Sequence, residues 1–258
     1  MTSQSNLAPA LHTVRYQPTS FIERSLFSSI RLKRQLLVLG LWAIIPLAGA
    51  EPLAAPGAKL PAVPGAESLT AIAPGESEAA WRPLFASLAA QGSIWANFTE
   101  YRWFPFRKTP VALKGEMRFS PSRGLSLNYR EPEVRTVIAD FKGLAMRDAR
   151  GRTREMPPDP RVTGPVMALL PIMRFDLQAL EQTFVLQGRR DGGAWVLEFV
   201  PRDPGLARVL GTVEVKGDNT TVRRLEFRHS PKERVEILID GARAGVIFTP
   251  EEERRYFR

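Results

Sequence analysis

Two histidines and no cysteine leave this chain few ways to do group-transfer chemistry. The lack of Cys removes disulfides, thiolate nucleophiles, Cys-ligated zinc and a lipidated N-terminal Cys together. In the part of the chain that reads as folded the one histidine is His229, between Arg228 and Ser230. A Ser-His-Asp triad or a His-based metal site there has no spacing motif to support it. Glu251-Glu252-Glu253 follow Thr249-Pro250 and read as the first turn of a helix, where carboxylates meet the positive end of the dipole, rather than as an acid-base device. Asp191-Gly-Gly193 has the composition of a hairpin turn and opens no helix, so it is not a phosphate loop. Arg147, Arg150, Arg152 and Arg154 gather around one turn, which suits a solvated face, or contact with an anionic partner or lipid headgroups. These residues point to no enzyme, cofactor or metal.

The chemistry left to the sequence is burial. An acyl chain entering an apolar concavity gains about 0.8 kcal/mol per CH₂, on the order of 12 kcal/mol for a long chain, with no catalytic group. Met117, Phe119, Leu127, Tyr129, Trp195, Leu197, Phe199, Leu225 and Phe227 are the candidate cavity wall, since each falls on the apolar face of a strand. Val166, Met167, Leu170, Ile172 and Met173 are the candidate helical lid, with methionine able to adapt to different guests. Plain core packing is the alternative for every one of them.

The elements that would position these residues follow from periodicity. Trp81, Leu84, Phe85 and Leu88 recur at helical spacing between Ser77 and Gln91, with Pro83 expected in the first turn and Gly92 at the end. From Ile94 the period becomes two. Val111, Leu113, Gly115, Met117 and Phe119 alternate with Ala112, Lys114, Glu116 and Arg118, and Ser120-Pro-Ser-Arg-Gly124 turns into a strand with Leu125, Leu127 and Tyr129 on one face. Short strands are predicted at 134–139, 144–147 and 152–156. Two short helices, 163–170 and 176–182, should be divided by Pro171, the second capped by Asp176. Strands return at 184–187, 194–200, 211–216, 222–229 and 234–239. The fold class is therefore mainly β with α: about 10 or 11 antiparallel strands in an unclosed barrel wrapped over a short helical lid, with a two-sheet sandwich as the rival.

Before this domain, Arg31-Leu-Lys-Arg34, the apolar run Leu36–Leu47 and Ala48-Gly49-Ala50 make a secretory signal over residues 1–50, and the expected destination is the periplasm. An uncleaved inner-membrane anchor or a different start are the alternatives, the run being short of the roughly 20 residues that span a bilayer. Residues 51–76, rich in Pro, Ala and Gly, read as a linker; 77–250 as the folded domain; 251–258 as a C-terminal tail. The net charge of +9 includes five basic side chains against one acid in residues 1–50, leaving +5 for the rest. That balance allows docking to an anionic membrane or an acidic partner and is too dilute for nucleic acid.

The succession Asn97-Phe98-Thr99-Glu100, a Gly-containing strand ending at Phe119, a Ser-Pro turn, Leu-x-Leu-x-Tyr and Glu131-Pro132 resembles the LolA family of periplasmic outer-membrane lipoprotein carriers. Asp140-Phe-Lys-Gly143 and the insert Pro165-Val-Met-Ala-Leu-Leu170 continue the similarity over about 170 residues. The resemblance implies an open barrel with a helical lid over a hydrophobic cavity, which carries the acyl chains of a lipoprotein, or another lipid, from the inner to the outer membrane. It also implies an inner-membrane releasing complex and an outer-membrane receptor as partners, and a monomer. Two residues depart from the family pattern. Ser120 stands where the family has a basic residue that helps hold the lid shut, and Tyr129 stands for a Trp. A sensor or adaptor of the same fold, binding a protein or envelope lipid without shuttling it, is the alternative function. A self-anchored receptor would need the missing Cys.

Overall fold

The computed structural model describes residues 68–156 and 160–258, without the side chains of 160–166. The signal segment, most of the linker and the side chain of Val166 lie outside it. Among the described residues twelve antiparallel strands form one sheet in the order β1-β8-β9-β10-β11-β12-β2-β3-β4-β5-β6-β7. The strands are β1 (Thr70–Ile72), β2 (Ile94–Trp103), β3 (Val111–Ser120), β4 (Gly124–Glu131), β5 (Arg135–Asp140), β6 (Gly143–Asp148), β7 (Thr153–Glu155), β8 (Phe184–Asp191), β9 (Ala194–Pro201), β10 (Thr212–Asp218), β11 (Thr221–Ser230) and β12 (Glu233–Ala244). β1 and β7 are not paired with each other, so the sheet is unclosed, and the sandwich is excluded.

The twelfth strand is β1, and it corrects the linker boundary: Thr70, Ala71 and Ile72 pair with Gly188, Gln187 and Leu186 inside the segment that composition alone reads as tether. Helix α1 (Glu76–Ala89) follows at once. Of the residues the spacing selects, Trp81, Phe85 and Leu88 are buried and Leu84 is partly buried against the same core. Trp81 lies over Gly188, where a β-carbon would come within 2.5 Å of the ring, so the bare backbone of β8 is what lets the helix approach. Pro83 sits in the middle of α1, not in the first turn. It lies on the exposed side together with Ala79, whose carbonyl loses its helical partner to water rather than to the core.

Helix α2 (Pro160–Arg174) runs through Pro171, which the sequence reading made a break. The helix ends at Phe175, which takes φ 52°, and α3 (Leu177–Thr183) begins from Asp176, whose carboxylate accepts from the N–H of Ala179. α4 (Pro204–Leu210) has no counterpart in the sequence reading, although Asp203-Pro204 is a cap and first turn by type; Asp203 accepts from Leu206 N–H at 2.6 Å.

The tail also needs correction. α5 (Pro250–Tyr256) opens on a capping box between Thr249 and Glu252, and Tyr256 and Phe257 are buried. It lies on the outer face of β3–β6: the Arg118 guanidinium sits 3.5 Å from the centre of the Tyr256 ring. Arg147 donates to the carbonyls of Arg254, Arg255 and Phe257 at the helix end. Arg258 grips Asp140 with two hydrogen bonds of 2.6 Å. The arginine cluster is thus partly structural, with Arg152 also paired to Asp148 at 2.7 Å. Elsewhere the outer face is a charge lattice in which Glu214, Glu226 and Glu236 interleave with Lys216, Arg224 and Arg228.

Candidate functional site

Register decides which side chains share the concave face. Met117 pairs with Leu127, Phe119 with Leu125, Gly115 with Tyr129, Val215 with both Leu197 and Leu225, and Phe227 with both Val213 and Val235. All nine strand residues proposed for the cavity wall therefore point to one side, and α1 and α2 pack against it. Two adjoining spaces remain between the helices and the sheet. The larger, about 170 Å³, reaches the outside beside Gln91, Thr220 and Thr221, and is lined by Ile94, Met117, Ile172, Met173, Phe175 and Leu225 among others. The smaller, about 50 Å³, is bounded by Leu125, Leu127, Val137, Leu144, Leu169 and Phe227. Met117, Met173, Leu225 and Ile239 border both.

Of the wall candidates, Met117, Leu127, Leu225 and Phe227 line these spaces, as do Ile172 and Met173 of the lid. Phe119, Trp195, Leu197 and Phe199 share the face but are packed solid. Phe199 meets Phe184 edge to face at 5.8 Å, and the Trp195 indole N–H donates to the carbonyl of Asn219 at 2.8 Å. On α2, Met167 turns outward at 45% exposure, and Leu170 is buried without bordering either space. The inward stripe is Leu169, Ile172 and Met173, at helical spacing. Phe175, just past the helix, joins it by stacking edge-on against Trp195 at 6.4 Å.

Tyr129 belongs to a different arrangement that the sequence reading missed. Its hydroxyl donates to Glu100 at 2.6 Å, Glu100 is paired with Arg102, and the Arg135 guanidinium lies 5.0 Å from the Tyr129 ring centre. Glu100, Arg102, Tyr129 and Arg135 are all buried, and they lie on the concave face one pleat beyond the smaller space. Burial, then the neighbouring Glu100 carboxylate, pushes the Tyr129 phenol up, so it stays protonated and donates. Burial, and then repulsion from Arg102, lowers Arg135. The signal was in β2: Glu100 and Arg102 are in phase with Ala96 and Phe98, on the face that period two assigns to the core. Gly115, inside β3, makes room for this packing, since a β-carbon there would strike Asn128 O at 2.2 Å and the Phe98 ring at 2.9 Å.

At the opposite end, α2 is fastened to the sheet. Arg174, its last residue, donates to the carbonyl of Pro121 at 2.5 Å, and its guanidinium lies 4.6 Å from the centre of the Phe141 ring. His229 is half-buried, and burial lowers its pKa against the opposing pull of Glu233. Among the described residues no three metal-ligating side chains converge, and no helix is long and apolar enough to cross a membrane.

Residues 73–255 match the family model described as "Outer membrane lipoprotein carrier protein LolA-like". No curated protein matches the sequence. Among solved structures, the MucA/MucB complex of Pseudomonas aeruginosa is similar at 14% identity and TM-score 0.39, covering 68% of this chain and 60% of that one. The chain thus spans less than two thirds of that neighbour. A LolA superfamily protein from Nitrosomonas europaea is similar at 10% identity and TM-score 0.38, covering 67% and 96%. LprF from Mycobacterium bovis is similar at 12% identity and TM-score 0.28, covering 66% and 95%.

Proposed function

Since the chain belongs to the LolA-like outer membrane lipoprotein carrier family, we propose that it is a periplasmic carrier whose concave face takes up the acyl chains of a lipoprotein or another lipid. The observation that supports this is the pair of adjoining apolar spaces under α2, bordered on both sides by methionines, Met117 and Met173. Their volume is below the roughly 300 Å³ of even a small ligand pocket. Uptake therefore requires α2 to move away from the sheet, and Arg174 is the group that holds it. The family's fastening side chain is replaced by Ser120, and in this chain the arginine comes from the lid and the acceptor from the turn.

The test is uptake of a fluorescent fatty acid, combined with native mass spectrometry of protein purified from its own envelope. Leu225→Trp, which fills the space common to both cavities, should abolish binding while the circular dichroism stays unchanged. A protein that keeps its fold yet binds no acyl probe would remove the carrier reading. It would leave the second one, a sensor or adaptor with a filled core, which the small volume of the spaces favours.

A further inference from the structure

The cavity opens at the end of the sheet that holds Gln91 and Thr220; the other end carries the β2–β3, β4–β5 and β11–β12 turns. On the first of these, residues 104–110, Phe104 and Phe106 stack with ring centres 5.4 Å apart. Phe106 is 78% exposed, and Val134 on the adjacent β4–β5 turn is 57% exposed. A stacked pair of rings with an exposed valine on the neighbouring turn makes an apolar patch, and it is patches rather than single exposed side chains that mark contact with something else. Cations surround this patch. Arg107 and Lys108 follow the phenylalanines, Lys232 comes from the β11–β12 turn and Arg234 from the start of β12, which its pairing with Trp103 sets alongside. The Arg234 guanidinium lies 4.3 Å from the centre of the Trp103 ring. Against these four cations the two tips hold one acid, Glu233, while Glu131 and Glu133 on the β4–β5 turn are engaged by Lys114 at 3.2 Å and Arg135 at 3.8 Å.

We propose that this end of the sheet docks on an anionic lipid surface, Phe104 and Phe106 entering the headgroup boundary and Arg107, Lys108 and Lys232 meeting the phosphates. Protruding aromatic side chains flanked by cations are what a bilayer interface accepts, because both the apolar ring and the charge find their medium within a few ångströms. A peptide read by its shape would lie in a groove or along a free strand edge, and these turns offer neither. The inference is independent of what the cavity holds. Docking by this end leaves the cavity mouth facing away from the membrane.

The chain has no cysteine, so single Cys variants of the full chain carry one environment-sensitive label each. Pro105→Cys places the label on the tip, and Asp191→Cys places it at the opposite end as a control for binding through the apolar N-terminal run. With phosphatidylglycerol vesicles, label 105 should shift to the blue and label 191 should not. The shift should be absent with phosphatidylcholine and lost in about 1 M salt, where the screening length is only about 3 Å. Adding Arg107→Glu and Lys108→Glu should weaken vesicle binding at least about 25-fold, at roughly fivefold per lost cation. No shift at 105, an equal shift at 191, indifference to the charge reversal, or a shift with polyglutamate and none with vesicles would each overturn the proposal, the last by identifying an acidic polypeptide.

Discussion

Glu100 sets the electrostatics of the buried end of the concave face, because it is the carboxylate that both Arg102 and Tyr129 address. Glu100→Gln should destabilise the protein by about 3–5 kcal/mol, since it leaves the Arg102 cation in the core without its countercharge. Tyr129→Phe removes one donor and keeps the ring, and should cost about 1–3 kcal/mol. Urea denaturation of the two variants checks both values, and the ordering is the sharper test: a Tyr129→Phe loss as large as that of Glu100→Gln would contradict the assignment of the charge pair as the dominant contact. At this scale the sequence is legible in part. The phase of Met117, Leu127 and Leu225 puts them on the concave face, but phase cannot separate a residue at the edge of a space from one, such as Phe199, that is met by another ring. That distinction depends on which helix residue lies opposite, a long-range matter.

At the scale of elements, two fastenings tie helices to the sheet. Arg174 holds α2 to the β3–β4 turn through the Pro121 carbonyl. Arg174→Ala should lower stability by about 1 kcal/mol and speed entry of an acyl probe severalfold in stopped-flow fluorescence, whereas Arg174→Lys should restore much of the slow entry. Asp140 holds the α5 end. Burial opposes its ionisation, but the hydrogen bonds from Arg258 and from the Lys142 N–H outweigh this and keep its pKa below the ordinary value. A depressed carboxylate contributes stability that is complete above the unfolded value of about 3.9 and fades as pH falls below it. Protection of residues 250–258 in hydrogen exchange should therefore drop below about pH 4, and Asp140→Asn should give the unprotected pattern already at neutral pH. The helices were the hardest elements to bound. Pro171 stands inside α2, where its residue type reads as a break, and β1 is three residues long with no period to read.

For the whole domain, occupancy of the concave face would be linked to folding. If an acyl chain occupies the concave face only in the folded state, saturating fatty acid should raise the melting temperature, by about 2.7 kcal/mol of stability at a hundredfold excess over Kd. Differential scanning calorimetry with and without palmitate reads this directly, and a midpoint indifferent to ligand would contradict binding in the cavity. The succession of eleven antiparallel strands along the chain could be followed from alternation and turn chemistry, because all but β7 have an apolar face and most are joined by short Gly or Pro turns. The volume left beneath the helices could not, since it is a small difference between large packed volumes.

The two free edges, β1 and β7, have a mechanical meaning. In a closed barrel the girth is fixed by strand number and stagger, so enlarging the interior means breaking a ladder. An open sheet is a C-shaped spring: it can uncurl about its middle strands with every rung intact, the gap between its ends taking up the motion. The three-residue length of each edge strand offers a stranger little to zip onto while the gap widens. Once α2 has lifted, a guest larger than the resting spaces would meet the bending stiffness of the sheet, a gradual and reversible resistance, rather than the loss of ladder hydrogen bonds.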